Sequence, residues 1–511
     1  MIRRLWKFNG GVHLPAHKEE STHHPVQRAP LPKRLILPLH QHIGESAEAV
    51  VKVGDQVLKG QMIAHAKGFV SAPVHAPSSG VVVEIGDFPV PHPSGLSAPC
   101  IVIETDGADQ WTPLQTHGDY TQLDPSALRN IIREAGIVGL GGAGFPSFIK
   151  LNPGPGKVVN TLILNGVECE PYITCDDMLM RERAPDIIAG VGIIRHALHA
   201  RECIVALEDN KPDAYAAMCA AAAGTDIQVV QVPTIYPAGG EKQLVKVLTG
   251  MEVPGNGLPI HIGVVCHNVG TAAAVYRAVE YGEPLISRYM TITGGNIAQP
   301  RNLEVLIGTP VKDLLDECGW NPGTLERLLM GGPMMGFALP SDSVPVIKTT
   351  NCILAMTASD SLPQRPVMPC IRCGACADAC PVNLLPQQLY WHAHAKDLDK
   401  VQEYNLFDCI ECGCCSYVCP SNIPLVHYYR YAKTEIWAKE REKQKAEAAR
   451  LRYEFRLQRI EREKTERAAK HTQKKEELTA APADPSDTKK AAIVAAMERA
   501  QAKREEIKGG E

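Results

Sequence analysis

The chain has 511 residues, 45% of them hydrophobic and 22% charged, with a formal net charge of −4. That length points to several domains, and so balanced a charge excludes a nucleic-acid binder that works through bulk positive potential. No apolar run reaches the roughly 18 residues that suggest a membrane-spanning helix. The basic start Met1-Ile2-Arg3-Arg4-Leu5-Trp6 lacks the apolar stretch of a secretory signal.

Residues 1–33 read as an irregular arm. Residues 34–120 alternate apolar and polar side chains between turn signals, which predicts short strands. Two such units, from Val53 to Ala64 and from Ser71 to Val82, resemble the flattened barrel of lipoyl and biotinyl carrier domains. The nearby lysine, Lys67 in Ala66-Lys67-Gly68, lacks the flanking residues of a swinging-arm lysine, so a structural barrel without a covalent cofactor is expected. Residues 121–282 alternate helical and strand-like stretches around glycine turns, with candidate strands at 158–164, 202–207 and 227–232. This is an α/β pattern with parallel strands.

Residues 283–348 turn to β again, with one helix at 311–317, and a linker at 360–369 leads into a cysteine-rich segment that extends to 430. The stretch between its two cysteine runs reads as helical. Residues 431–511 form a charged tail. Its part from 437 to 470 is free of Pro and Gly and predicts a helix. Tyr453, Leu457 and Ile460 share one face, and Glu463 is placed to pair with Arg467. Prolines break the run at 480–487, and an Ala-rich helical stub follows at 489–503. The tail reads either as a solvated helical extension or as a docking element for a partner or a membrane surface.

Of 17 cysteines, eight fall in two runs, Cys370-x2-Cys373-x2-Cys376-x3-Cys380-Pro381 and Cys409-x2-Cys412-x2-Cys415-x3-Cys419-Pro420. This is the spacing of bacterial two-cluster ferredoxins, in which the fourth cysteine of each run ligates the other cluster. Three thiolates at x2 intervals wrap one face of a cubane within a single loop, and Gly374 and Gly413 let the backbone turn close to it. Cys370, Cys373, Cys376 and Cys419 are therefore assigned to one [4Fe-4S] cluster, and Cys409, Cys412, Cys415 and Cys380 to a second. Cys414 is left as an extra thiol. Zinc favours paired C-x2-C units and fits less well. Such a module carries single electrons and does no bond chemistry itself.

Gly136-Ile137-Val138-Gly139-Leu140-Gly141-Gly142-Ala143-Gly144-Phe145-Pro146 lets backbone N–H groups approach a phosphate or a flat ring. It is neither G-x-G-x-x-G at a βαβ opening nor a phosphate loop with Lys-Ser/Thr, and alone it is equally a structural turn. Three further elements follow it: Leu164-Asn165-Gly166-Val167-Glu168-Cys169-Glu170-Pro171, Tyr236-Pro237-Ala238-Gly239-Gly240-Glu241-Lys242 and His267-Asn268-Val269-Gly270-Thr271. In this order they resemble the flavin- and NADH-binding subunit of respiratory complex I. That resemblance implies an FMN site made by Gly139, Gly141, Gly142, Ala143, Gly144 and Lys150 with Asn165, Asn268 and Thr271. It implies an NADH side formed by Phe145, Glu168, Glu170, Tyr236 and Glu241. The family's loop arginines are Val138 and Leu140 here, an acidic position is Val167, and one of a glutamate pair is Gly240.

Nearly the whole chain resembles the RnfC family of the Rnf (Rsx) electron-transport complexes. The likeness runs from Gly10-Gly11-Val12-His13-Leu14-Pro15 through Gly331-Gly332-Pro333-Met334-Met335-Gly336 to both cysteine runs and the Lys/Ala-rich tail. It implies a multidomain α/β protein with a carrier-like β barrel, a Rossmann-like flavin domain, a β-grasp (SLBB-like) domain, a two-cluster ferredoxin-like α-helical domain and a helical charged tail. It further implies electron exchange between NADH and ferredoxin or partner subunits through FMN and two [4Fe-4S] clusters. Membrane subunits of the same complex would couple this to ion transport, with this chain peripheral on the cytoplasmic side of the inner membrane. No nucleic-acid partner is expected. The other expectations are a cobalamin reductase of similar domain order and a cluster-carrying scaffold with a vacant flavin site.

Overall fold

The computed structural model describes residues 3–154, 156–360, 366–480 and 488–508. Part of the linker expected at 360–369, and the proline break at 481–487, lie outside the described residues. The chain divides into two compact units, Met1–Lys433 and Thr434–Glu511.

The first unit opens with the arm, which is not irregular throughout. Gln27–Arg28 is a strand paired in parallel with Arg301–Leu306, so the arm is stitched into a sheet nearly three hundred residues away. The barrel that follows has a four-stranded and a three-stranded sheet. In the first, Ser97–Thr105 lies between Arg34–Pro38 and Gly80–Pro89, and Gln56–Val57 closes the edge. Leu35, Leu37, Ile63, Val82, Ile101 and Ile103 are buried at its centre. Gly80 is required at the crossing, because a Cβ there would stand 2.1 Å from the Glu104 carbonyl oxygen. Lys67 stays at the surface, 4.0 Å from Glu48.

The α/β domain holds a four-stranded parallel sheet in the order Gln228–Val232, Glu202–Glu208, Thr161–Gly166, Val264–Asn268. The first of these in sequence starts three residues later than the expected 158, and Val264–Asn268 is a further strand beyond the three expected. In chain order this is 3-2-1-4, so strand order reverses between Thr161–Gly166 and Val264–Asn268. In open α/β sheets a ligand crevice forms outside the carboxyl ends of the strands at such a switch point. The long helix Cys175–Leu198 bends at Arg183, where φ is −126°, two residues before Pro185. Proline lacks the N–H that an unbroken helix needs. Beyond the bend, Gly190 lets this helix approach Val269–Tyr281 closely. A Cβ at Gly190 would stand 2.0 Å from the Ala272 carbonyl oxygen.

The β-grasp region is a six-stranded mixed sheet with the helix Val311–Cys318. Its strand Cys352–Met356 is buried throughout and pairs with both Ser287–Thr293 and Arg327–Met330. The sheet therefore reaches past the boundary expected at 348. The expected helical stretch between the cysteine runs is present as Pro386–His394 and Leu398–Glu403. The helix Leu425–Ala480 starts earlier than the expected 431 and 437. Val426, Tyr429, Ala432 and Lys433 in its first turns are buried, so this part belongs to the first unit's packing.

In the second unit the helix is solvated: Tyr453 and Leu457 are exposed, and charged side chains pair along its surface. Glu463 pairs with Arg459 at 3.7 Å instead of the expected Arg467. Thr488–Lys508 is a second helix. Among the described residues, no helix is long and apolar enough to cross a membrane.

Candidate functional site

The two cysteine runs adopt the same backbone. Arg372 and Glu411, both two residues after the first cysteine, are left-handed at φ +58° and +57°, and Gly374 and Gly413 follow at +84° each. The N–H groups of Arg372 and Glu411 donate to the sulfurs of Cys370 and Cys409, at 3.4 Å in each loop. Such N–H to sulfur bonds favour thiolate and help set a cluster's potential. Cys370, Cys373, Cys376 and Cys419 line one cavity of about 260 Å3, with Gln387 and Trp391 on its wall. Cys380 faces Cys412 and Cys415 instead of its own run. The donor chemistry and the crossed grouping both fit two iron–sulfur cubanes. Cys414 is fully buried beside Cys412.

The loop carrying Cys409 is braced from the helix behind it. Lys433 donates to the Cys409 carbonyl at 2.8 Å and to Glu411 at 2.7 Å, and Arg430 meets the other Glu411 oxygen at 2.8 Å. Burial pushes the Glu411 carboxyl up, but the two cations outweigh it and hold it below the usual range. Arg372 occupies the equivalent place in the first run, and its guanidinium lies 5.1 Å from the centre of the Trp391 ring.

The second site is the switch-point crevice. Asn165 and Asn268 are register partners at the ends of adjacent strands. Asn268 caps the helix Val269–Tyr281 by accepting from the Gly270 N–H at 2.8 Å, and its amide donates to Asp176 at 2.6 Å. Asn165 donates to the Gly239 carbonyl at 2.8 Å. The glycine loop lies over this helix terminus: Thr271 accepts from the Leu140 N–H at 3.0 Å, and Arg288 donates to the Leu140 carbonyl at 3.2 Å. Gly141, Gly142 and Ala143 are exposed there, and a Cβ on Gly142 (φ +105°) would meet nothing within 4 Å. A capped helix N-terminus beside an open glycine backbone suits a phosphate-bearing flat ligand, as FMN is. Lys150 reaches the carboxyl-end rim, where it pairs with Glu241 at 2.6 Å and donates to the Cys266 carbonyl at 3.1 Å. Phe145 is half-buried in the same loop.

Behind the crevice lies a buried polar layer that sequence reasoning missed. Lys18, from the arm, donates to the carbonyls of Glu168, Glu170 and Ile173 at 2.7, 3.0 and 2.6 Å, pinning the acidic loop. Burial lowers its pKa. Lys211 donates to the Val167 carbonyl and to Glu208, both at 2.8 Å. Glu168 accepts from the Asp176 and Asp177 N–H groups at 2.7 and 3.2 Å, which caps the helix Cys175–Leu198. Burial raises its carboxyl to about 8, with Asp176 adding to the rise. Nothing local marks Lys18 in the sequence, since its partners are backbone carbonyls some 150 residues on.

Family profiles match these parts one by one. The RnfC barrel sandwich hybrid domain covers residues 6–108, the Nuo51 FMN-binding domain 132–277, the SLBB domain 289–338 and the 4Fe-4S dicluster domain 369–423. The RnfC subunit of an ion-translocating oxidoreductase complex from Pseudomonas aeruginosa is 54% identical over 91% of this chain and 60% of its own length. That of Erwinia tasmaniensis is 48% identical over 98% of this chain and 62% of its own. That of Yersinia pestis bv. Antiqua is 49% identical over 93% of this chain and 77% of its own. The chain belongs to the RnfC family of ion-translocating oxidoreductase complexes. It spans less than two thirds of the Pseudomonas and Erwinia relatives.

In this RnfC family member, two residues expected on the nucleotide side are used elsewhere. Tyr236 is 3% exposed, and its hydroxyl donates to the Cys412 carbonyl at 2.7 Å. Its ring therefore packs on the cluster loop instead of facing an open crevice. Glu170 accepts from the Met334 and Met335 N–H groups at 2.7 and 3.0 Å, beneath the Gly331–Gly336 turn. Burial raises its carboxyl pKa. The glycine loop, Lys150, Asn165, Glu241, Asn268 and Thr271 do converge on the switch-point crevice. Glu168 lies behind it as a helix cap.

Proposed function

We propose that this chain is a peripheral subunit of a membrane-bound, ion-translocating oxidoreductase complex. It exchanges electrons between NADH and ferredoxin or partner subunits, with partner subunits coupling the transfer to ion movement. Its place is the cytoplasmic face of the inner membrane. FMN, held at the crevice, supplies the conversion between a two-electron hydride and the single electrons that an iron–sulfur cluster accepts. Two [4Fe-4S] clusters, on Cys370, Cys373, Cys376, Cys419 and on Cys380, Cys409, Cys412, Cys415, carry those electrons away.

One observation carries this reading: the crevice and the cysteine module lie in one compact unit and meet directly where Tyr236 donates to Cys412. The chain's own residues do the positioning. Gly139, Gly141, Gly142, Ala143 and Gly144 present backbone to the ligand, and Asn165, Asn268 and Thr271 hold the crevice floor. Lys150, opposite Glu241, offers a cation at the rim, and Phe145 lies beside the opening.

The test is anaerobic. The chain is reconstituted with iron and sulfide, FMN and iron are quantified, NADH is added, and the visible spectrum is followed. Bleaching of flavin together with cluster absorbance supports the reading. Full iron with bound flavin and no bleaching removes the NADH role. A second reading, a cluster-carrying scaffold with a vacant flavin site, is favoured by the Lys150–Glu241 pair, which satisfies the rim cation internally. It predicts full iron and no flavin retention.

A further inference from the structure

We infer that Tyr236, with the glycine strap Gly10-Gly11, fixes the Cys380–Cys409–Cys412–Cys415 cluster site against the α/β domain and makes that cluster the one that communicates with the crevice. The inference deepens the proposed electron route and rests on that reading for its functional meaning. The positioning itself follows from contacts on one seam.

On the domain side of the seam, Val12 and Tyr236 exchange backbone hydrogen bonds at 2.8 and 3.0 Å, so the arm runs as a short strand along residue 236. On its other side, the Gly11 N–H donates to the Ala379 carbonyl at 3.0 Å, one residue before Cys380. The arm is thus bonded to both bodies at once. Only glycine fits there. At Gly10 (φ +61°) a Cβ would stand 2.6 Å from the Ala379 carbonyl carbon and 2.7 Å from the Cys380 oxygen. At Gly11 (φ +84°) it would stand 2.9 Å from the Tyr236 oxygen.

Tyr236 completes the clamp from its side-chain end. Its buried hydroxyl donates to the backbone oxygen of Cys412, a ligand of the same cluster as Cys380. Met334 covers the next residue: its carbonyl oxygen lies 3.1 Å from where a Cβ on Gly413 would be. Glu170 holds Met334 in turn through the N–H bond at 2.7 Å. Three separate chain segments therefore converge on one cluster loop. The other cysteine set is far more open. Cys373 is exposed, Ile371 is 68% exposed, and the four thiols line a cavity with Arg372 and Trp391 on its wall.

Electron transfer between protein-held centres falls steeply with distance, so a clamp on one cluster decides which one exchanges with the crevice. A hydroxyl dipole aimed at a ligand residue's carbonyl also favours the reduced, more negative cluster, as hydrogen bonds around clusters do. Tyr236 is a positioning residue in this scheme, acting through Cys412.

The experiment uses the full chain, reconstituted anaerobically, in four forms: wild type, Tyr236→Phe, Cys380→Ser and Cys419→Ser. Redox titration followed by electron paramagnetic resonance reads each cluster separately. The two serine variants identify which signal belongs to which cysteine set. The expected result is that Tyr236→Phe keeps full iron and lowers the midpoint potential of the signal lost in Cys380→Ser, leaving the other unmoved. Stopped-flow reduction of the clusters by NADH-reduced flavin slows several-fold, while dithionite still reduces both. A shift confined to the signal lost in Cys419→Ser, or no shift with an unchanged transfer rate, overturns the inference. The potentials are read without NADH, so absent NADH reduction in the wild type would defeat the proposed function and leave this test standing. Gly10→Ala is a second probe of the same seam: it should perturb the same signal, and perturbing only the other one overturns the inference.

Discussion

Asn165 and Asn268 are register partners at the carboxyl ends of two adjacent parallel strands, and the side chain of each is tied to a different loop of the crevice. Asn165 holds the Gly239 turn, and Asn268 holds both Asp176 and the start of a thirteen-residue helix. The pair sits where strand order reverses, which is where the sheet's architecture leaves a cleft.

Asn268→Ala should therefore loosen the crevice. It removes an N-cap worth about 1 kcal/mol and leaves buried Asp176 without its amide donor, a loss of about 1.5–3 kcal/mol for a bond to a charged group. The expected outcome is a fall in FMN retained after reconstitution and a lower unfolding temperature, with iron content unchanged. Flavin binding equal to wild type would remove Asn268 from the site.

The crossed grouping of thiols predicts a specific pattern of cluster loss. Cys380→Ser should cost the cluster on Cys409, Cys412 and Cys415, and Cys419→Ser the one on Cys370, Cys373 and Cys376. Iron should fall from about eight to about four per chain in either variant, with different surviving resonance signals. If both variants kept the same signal, the crossed assignment would be wrong.

What can be read from sequence is what is local. The cysteine spacing points to both ligand sets because a cubane constrains residues within one loop, and the grouping of Cys370, Cys373 and Cys376 with Cys419 follows the same rule. The glycine loop and the two asparagines are likewise short-range signals. Tyr236 and Glu170 mislead because each has the residue type a nucleotide site uses, while their partners, Cys412 and Met334, are 176 and 164 residues away. The arm looks irregular in sequence because its hydrogen bonds go to Tyr236, Ala379 and Glu304, none of them near in the chain. The early start of the helix at Leu425 is hidden by the Cys-Pro turn before it, where the ferredoxin pattern ends.

Gly190→Ala tests the packing of the helix Cys175–Leu198 on Val269–Tyr281. The added Cβ falls 2.0 Å from the Ala272 carbonyl oxygen, so the helices must separate. Overpacking of this kind costs about 1–3 kcal/mol, which outweighs the usual gain of alanine over glycine in a helix. Thermal unfolding should shift down by several degrees, and flavin binding should weaken because Val269–Tyr281 carries Asn268 and Thr271 at its start. An unfolding temperature at or above wild type would show that the interface yields without strain.

Acid should destabilise the first unit from near pH 6.5 downward. Burial holds His75 and His267 at about 3, against an ordinary 6.5, with Lys348 adding to the fall at His75 and Lys150 at His267. Both are neutral when folded and take up a proton when unfolded in this window. The unfolded chain thus binds more protons below pH 6.5, and stability present above that value is lost progressively as pH falls towards 3. Between pH 6.5 and 5 the loss is about 2 kcal/mol per histidine at most. Unfolding temperatures measured from pH 8 to pH 5 should fall on the acid side, and His267→Gln should flatten the slope. A slope unchanged in both His267→Gln and His75→Gln would mean that other groups carry the acid sensitivity.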